Sequence, residues 1–208
     1  MDEHKRTAGM SGLGIARRVL TIEMEALAAI TKRLGPEFDD VIELLVHTRG
    51  KVVVTGMGKS GLVGQKIAAT FSATGTPSVF MHAAEAFHGD FGMIAPGDVV
   101  LAVSNSGETD EIVRIIPDLK AINVKVILIC GNARSSLARL ADFVLDTGVQ
   151  SEASAIGMVA TASTTAAMAM GDALAIAVME LQGRTIADLS RLHPAGPIGE
   201  KLRALLKS

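Results

Sequence analysis

Between residues 51 and 146, short apolar runs of strand length alternate with stretches of helix length, and this alternation constrains the fold more than any other feature. The runs lie at 51–55, 77–81, 98–104 and 124–130, with a weaker fifth at 143–146. Their β-branched content, as in VVVT and VKVILIC, suits a pleated surface. They are apolar at successive positions instead of alternate ones, so both faces of each strand must be covered. Helix-like stretches at 61–73, 108–122 and 135–140 separate them. Strands spaced in this way by helices form parallel sheets. The pattern predicts a doubly wound α/β fold, a three-layer sandwich with a five-stranded parallel sheet in the middle.

Helices are also predicted outside this block. Two precede it, at 12–34 and 37–48, with Gly35-Pro36 as stop and restart. A long Ala/Met-rich helix is expected at 157–181, followed by shorter ones at 186–190 and 198–207. A chain of 208 residues suits a single domain. Residues 1–11 mix both charge signs without an apolar h-region, which predicts a loose arm and no signal peptide, leaving 12–208 as the domain.

Composition narrows the partners. Trp and Tyr are absent from a chain that is 49% apolar, so the core must be aliphatic and the surface offers no platform for stacked bases. Twenty basic and 22 acidic residues give a formal charge of −2 without long like-charged blocks. No nucleic-acid partner is expected from such a surface. Cys130 is the sole cysteine, which rules out an internal disulfide and points to a reducing, cytoplasmic setting. Residues 153–171 carry no charge, yet five Ser and Thr lie among them and Asp172 follows directly, which favours a buried helix over a membrane span.

In open parallel sheets, ligands sit at the carboxyl ends of the strands, where loops lead into helix N-termini. The loops beginning at Gly56, His82, Ser104 and Gly131 are therefore the places to search. The first, Gly56-Met57-Gly58-Lys59-Ser60-Gly61, contains both G-x-G-x-x-G and Gly-Lys-Ser. A P-loop needs a glycine five positions before Gly58, and Val53 stands there. A dinucleotide site needs an acid at the end of the second strand, but that strand ends in Phe80-Met81-His82 and the nearest acid is Glu85. The P-loop reading fails on spacing, and the dinucleotide reading rests on a lone glycine fingerprint, which is a weak signal.

The third strand ends in Ser104-Asn105-Ser106-Gly107-Glu108-Thr109, directly before a helix. Hydroxyls, a glycine and a helix N-terminus converge there, as an oxyanion nest requires. The plain alternative is that one Ser or Thr simply caps the helix.

SNSGET resembles the phosphate signature of the sugar isomerase (SIS) domain. GMGKSG, GTPSVFMHAAEAFHGDFGMI and LHPAGPIGEKL are similar to a narrower group within it, the arabinose-5-phosphate isomerases of Kdo synthesis, and the likeness runs from about residue 12 to 206. The resemblance implies that Ser60, Ser104, Asn105, Ser106 and Thr109 hold a sugar phosphate. It also implies that Lys59, His88, Glu111, Glu152 and His193 surround the carbon chain, in a homotetramer. Where many of these isomerases carry prolines, in a stretch like E-A-C-P-x-G-x-A-P-T, this chain reads EASAIGMVAT from Glu152. A more mobile backbone is expected there. Common members continue into a pair of CBS domains, so a chain ending at Ser208 corresponds to a short or truncated form.

The chemistry so implied moves a proton between C1 and C2 of ribulose 5-phosphate through an enediolate, giving arabinose 5-phosphate. It requires no cofactor. His and acidic residues are scattered through separate loops without H-E-x-x-H or C-x-x-C spacing, so no metal site is expected. Glu152 is the candidate base, its pKa raised by desolvation when the site closes around substrate; a solvated loop glutamate is the alternative. Glu111, in a first helical turn, is the better orienting partner. Lys59 is the candidate oxyanion partner and His193 the ring-opening acid/base. Two other readings remain open: 3-hexulose-6-phosphate isomerase, and a non-catalytic module that senses sugar phosphates.

Overall fold

The computed structural model describes residues 10–207. Helices α1 (Gly12–Arg33) and α2 (Pro36–His47) precede an alternating series: β1 (Val52–Gly56), α3 (Gly58–Ala73), β2 (Ser78–His82), β3 (Val99–Val103), α4 (Asp110–Ala121), β4 (Lys125–Cys130), α5 (Ser136–Leu140) and β5 (Phe143–Asp146). Helices α6 (Ala162–Leu181), α7 (Ile186–Leu192) and α8 (Gly196–Leu205) complete it. Two single-turn 3₁₀ helices, Glu85–His88 and Asp90–Met93, occupy the β2–β3 connection, which no hydrophobic period marks.

All strand pairs are parallel and the sheet order is β2-β1-β3-β4-β5. Because side chains alternate across each strand, Val52 and Val54 enter one core layer with Ile67, Phe71, Met170 and Leu174. Val53 enters the other with Ile112, Ile116, Leu119 and Leu137. Helices α1, α2, α3 and α6 cover the first face, and α4 and α5 the second. The expected three-layer sandwich is thus present. Each fully buried Val, Leu or Ile contributes roughly 1.5–3 kcal/mol, so an aliphatic core suffices without Trp or Tyr.

Helix α6 is long and apolar enough to cross a membrane by length and composition alone. Its buried stripe of Ala166, Met170, Leu174 and Val178 lies in the sandwich core, which is where its hydrophobicity goes. It crosses α3 at close quarters: a Cβ built on Gly171 would lie 2.4 Å from Cγ1 of Ile67. At the opposite edge of the sheet from the strand carboxyl ends, buried Asp98 accepts the Lys51 N–H at 2.8 Å, the Ala95 N–H at 2.9 Å and the Lys51 ammonium at 2.6 Å.

Most element bounds differ from the sequence reading by one or two residues. Two differ by more. Helix α3 starts at Gly58 instead of 61, and α6 starts at Ala162 instead of 157. In the second case Gly157, with a left-handed φ of +65°, ends a separate turn in which its N–H donates to the Ser154 carbonyl at 3.0 Å, and the chain stays irregular until a carboxylate upstream caps the helix. Of the predicted arm, residues 1–9 lie outside the described residues. Ser11 belongs to the fold: its Oγ caps α1 by accepting the Gly14 N–H at 3.2 Å.

Candidate functional site

The strand order reverses at β1, since the chain goes to β2 on one side and then returns to β3 on the other. The carboxyl ends of β1 and β3 therefore open into a crevice, the general ligand position of such sheets. Gly56 and Val103, the last residues of these strands, are directly paired. From Gly56 the chain turns into α3, and just past Val103 it turns into α4, so both helices begin at the crevice.

Three glycines shape the first turn. Gly58 has a left-handed φ of +53°. A Cβ on Gly56 would meet the Ser60 backbone at 3.0 Å, and one on Gly61 would meet the Gly56 carbonyl at 3.0 Å. The G-x-G-x-x-G spacing therefore serves a tight strand-to-helix junction. No side chain caps α3, so the N–H groups of its first turn remain at the crevice beside exposed Lys59 and half-buried Ser60.

In the second loop the Ser104 and Thr109 hydroxyls hydrogen-bond at 2.7 Å, and Ser104 Oγ accepts the Gly107 N–H at 3.1 Å. Ser106 Oγ accepts the Glu108 N–H at 3.2 Å. Thr109 holds the N-cap position of α4, yet its side chain makes no capping bond. Simple capping does not account for this loop. Asn105 and Ser106 are exposed, Ser104 is buried, and Glu111 is half-buried in the first turn of α4.

Beyond these loops, a small cleft runs from Ser60 and Asn105 past Thr147 to Ser163 and Thr164 at the start of α6. Glu152 is bonded to Ser163 at that end. One of its carboxylate oxygens accepts the Thr161 N–H at 2.8 Å, the Thr161 hydroxyl at 3.0 Å and the Ser163 N–H at 3.3 Å; the other accepts the Ser163 hydroxyl. Burial pushes this carboxyl up, but the bonds from Ser163 and Thr161 outweigh it and hold it below its ordinary value. The rise expected on closure around substrate would therefore start from a carboxyl held low in the ligand-free chain. Glu152 is an ionised cap on a helix dipole, in place of a solvated loop residue.

The two histidines fall elsewhere. His88 is exposed at the end of the first 3₁₀ turn, ahead of Gly89 with φ +116°. The neighbouring Phe87 ring lies 4.7 Å below the Arg114 guanidinium, which docks this excursion on α4. His193 follows α7, its Nδ1 paired with the Leu189 carbonyl at 2.9 Å. Helix α7 is moored to the far end of α3. Arg184 donates to the Gly75 carbonyl at 3.0 Å, and a Cβ on Gly75 would lie 3.4 Å from Leu192. At about 1.5 Å per residue, that end of α3 is roughly 20 Å from Ser60.

Sequence reasoning missed several groups at the crevice. Thr161, Ser163 and Thr164 were hidden inside a predicted helix, although hydroxyls clustered before an Ala-rich run are a helix-start signal. His82 ends β2 opposite Gly56, and its Nδ1 is buried with no hydrogen-bond partner among the described residues. Also among the described residues, no group of three His, Cys, Asp or Glu is arranged to hold a metal ion. Cys130 is buried, and burial pushes its thiol up.

Residues 44–177 match the family described as SIS domain. The chain belongs to the SIS domain family. Arabinose 5-phosphate isomerase KdsD of Escherichia coli K12 is 50% identical over 186 residues, which is 89% of this chain and 57% of that relative. The enzyme of the same name from Pseudomonas aeruginosa PAO1 is 48% identical over 187 residues, again with 57% of its length covered. This SIS chain thus spans a little over half the length of those curated relatives. Among solved structures, a protein of E. coli CFT073 in complex with arabinose 5-phosphate is 40% identical, with a TM-score of 0.85 over 89% of this chain and all of that one. A putative sugar-phosphate isomerase of Listeria monocytogenes is 28% identical, with a TM-score of 0.84.

Proposed function

We propose that this chain is an aldose–ketose isomerase that interconverts ribulose 5-phosphate and arabinose 5-phosphate, serving Kdo and lipopolysaccharide synthesis in the cytoplasm. The observation that carries the reading is the pairing of two uncapped helix N-termini with the Ser60 and 104–109 hydroxyls at one crevice, and an ionised glutamate bonded to Ser163 at the far end of the cleft. The relatives of known name and the sugar-phosphate complex of the E. coli CFT073 protein support it.

In this reading, Ser60, Ser104, Asn105, Ser106 and Thr109 hold the phosphate dianion with the N–H groups of α3 and α4. Charge-assisted bonds of this kind are about twice as strong as neutral ones. The phosphate fixes one end of the substrate, and the open chain extends along the cleft toward Ser163 and Glu152. Glu152 accepts the proton from C1 of ribulose 5-phosphate and returns it to C2, which takes the carbon skeleton through an enediolate. Its ionised state makes it ready to accept, and its hydroxyl partners hold it in place. Lys59 steadies the developing oxyanion. Glu111 orients, and His193 and His88 serve ring opening and substrate contact.

Because α7 is moored at the far end of its own α3, His193 reaches a crevice from a second copy of the chain. The assembly proposed is a homotetramer. Exposed Leu13, Leu20 and Met24 form one face of α1, a stripe suited to helix packing between subunits. The test is to incubate the protein with ribulose 5-phosphate and resolve the pentose phosphates. Arabinose 5-phosphate is the expected product; ribulose 5-phosphate returned unchanged overturns the reading.

A further inference from the structure

We propose that Glu108 is a positioning residue for the phosphate loop, acting through the segment that follows β4; the proposal rests on the phosphate assignment above. The sequence poses a problem at this point. Residues 104–109 are to hold a dianion, yet a carboxylate lies in their midst, and unscreened it would repel the ligand.

The geometry disposes of that charge. The Glu108 carboxylate accepts the Ser136 N–H at 2.9 Å, at the start of α5. The side-chain and backbone bonds from Ser136 hold the carboxyl below its ordinary value, so the group stays ionised and paired. Two further bonds join the same segments. Asn105 O accepts the Gly131 N–H at 2.9 Å, and Gly107 O accepts the Leu137 N–H at 3.0 Å. The contact is also steric. A Cβ on Gly107, whose φ is +67°, would lie 2.0 Å from Oγ of buried Ser135, and one on Gly131 would lie 2.4 Å from the Asn105 side chain.

Residues 105, 107 and 108 are thus each tied to the 131–137 segment, while Ser104, Ser106 and Thr109 keep their hydroxyls within the loop. Of these ties, only the one from Glu108 is made by a side chain of the loop, so it is the one that mutation can cut cleanly. Its role is to hold the nest open before the ligand arrives, which lowers the ordering cost of binding.

The experiment compares the parent with Glu108→Ala and Glu108→Gln. For Glu108→Ala, KM for ribulose 5-phosphate and the inhibition constant of inorganic phosphate are both expected to rise about tenfold, with kcat within about threefold of the parent. Glu108→Gln keeps an acceptor for Ser136 and is expected to restore most of both. Unchanged KM and phosphate inhibition in Glu108→Ala overturn the proposal, as does a fall confined to thermal stability. If the parent fails to isomerise ribulose 5-phosphate, the reading of function fails. Titration with inorganic phosphate then decides the positioning role of Glu108 separately, and equal affinity in parent and Glu108→Ala overturns it.

Discussion

Thr161 gives both its backbone N–H and its hydroxyl to one carboxylate oxygen of Glu152, at 2.8 and 3.0 Å, so the residue proposed as base also starts a helix. Its replacement is therefore predicted to show two separable effects. Glu152→Gln should lower kcat by about 10²- to 10⁴-fold and abolish solvent deuterium exchange at C1. It should cost only about 1 kcal/mol of stability through the weakened cap. Exchange at the parental rate in a folded variant assigns the base elsewhere.

For the phosphate loop, Ser104→Ala combined with Ser106→Ala is predicted to raise KM by at least tenfold, since each lost donor to a charged group costs about 1.5–3 kcal/mol. Steady-state kinetics with ribulose 5-phosphate check this. A double variant with the parental KM places the phosphate outside the nest.

The mooring of α7 predicts complementation between inactive variants. Glu152→Gln and His193→Gln should each be nearly inactive alone. Co-expressed in equal amounts they should regain about a quarter of parental activity, because random pairing across a two-fold interface makes half the pairs mixed and leaves each of those one intact site. Purified mixed oligomers that stay inactive show that both residues serve the same subunit's site.

Acid stability follows from three paired carboxylates. Burial pushes Asp98, Asp142 and Glu152 up, but bonds from Lys51, from Lys125, and from Ser163 and Thr161 respectively more than offset it, so all three titrate below their ordinary values. A folded-state pKa below the unfolded one means that the unfolded chain binds more protons in acid. The stabilisation is complete above the unfolded values near 4 and disappears as pH falls through the lower folded ones. Urea midpoints should thus drop steeply below about pH 4. Asp98→Asn should cost about 1.5–3 kcal/mol at pH 7 and flatten that drop. A variant whose pH profile is as steep as the parent's contradicts the attribution to Asp98.

The sheet was legible because its central strands β1, β3 and β4 are buried on both faces, which leaves continuous apolar runs such as VILIC. The nest was legible because its groups are consecutive. What escaped was tertiary. Ile156, Met158 and Val159 extend the apolar pattern of α6 backwards, yet all three are exposed, and the helix begins only where the Glu152 carboxylate meets Thr161 and Ser163. Nothing periodic connects Glu108 to Ser136, 28 residues later. The location of His193 depends on where Arg184 finds a carbonyl, and Gly75 carries no sign of that role.

Gly171 has a consequence for how the crevice is tuned. Ser60 and Ser163 stand at the heads of α3 and α6, and the two helices press together lower down, where Gly171 meets the buried Ile67. By helical rise, that crossing lies roughly 10 Å below both heads. A single methyl added at 171 would act there as a wedge under a pair of levers. The branched carbons of Ile67 have no room to retreat, so the helices themselves must splay, and the span between the phosphate loops and Glu152 would widen without any change to a residue that touches ligand.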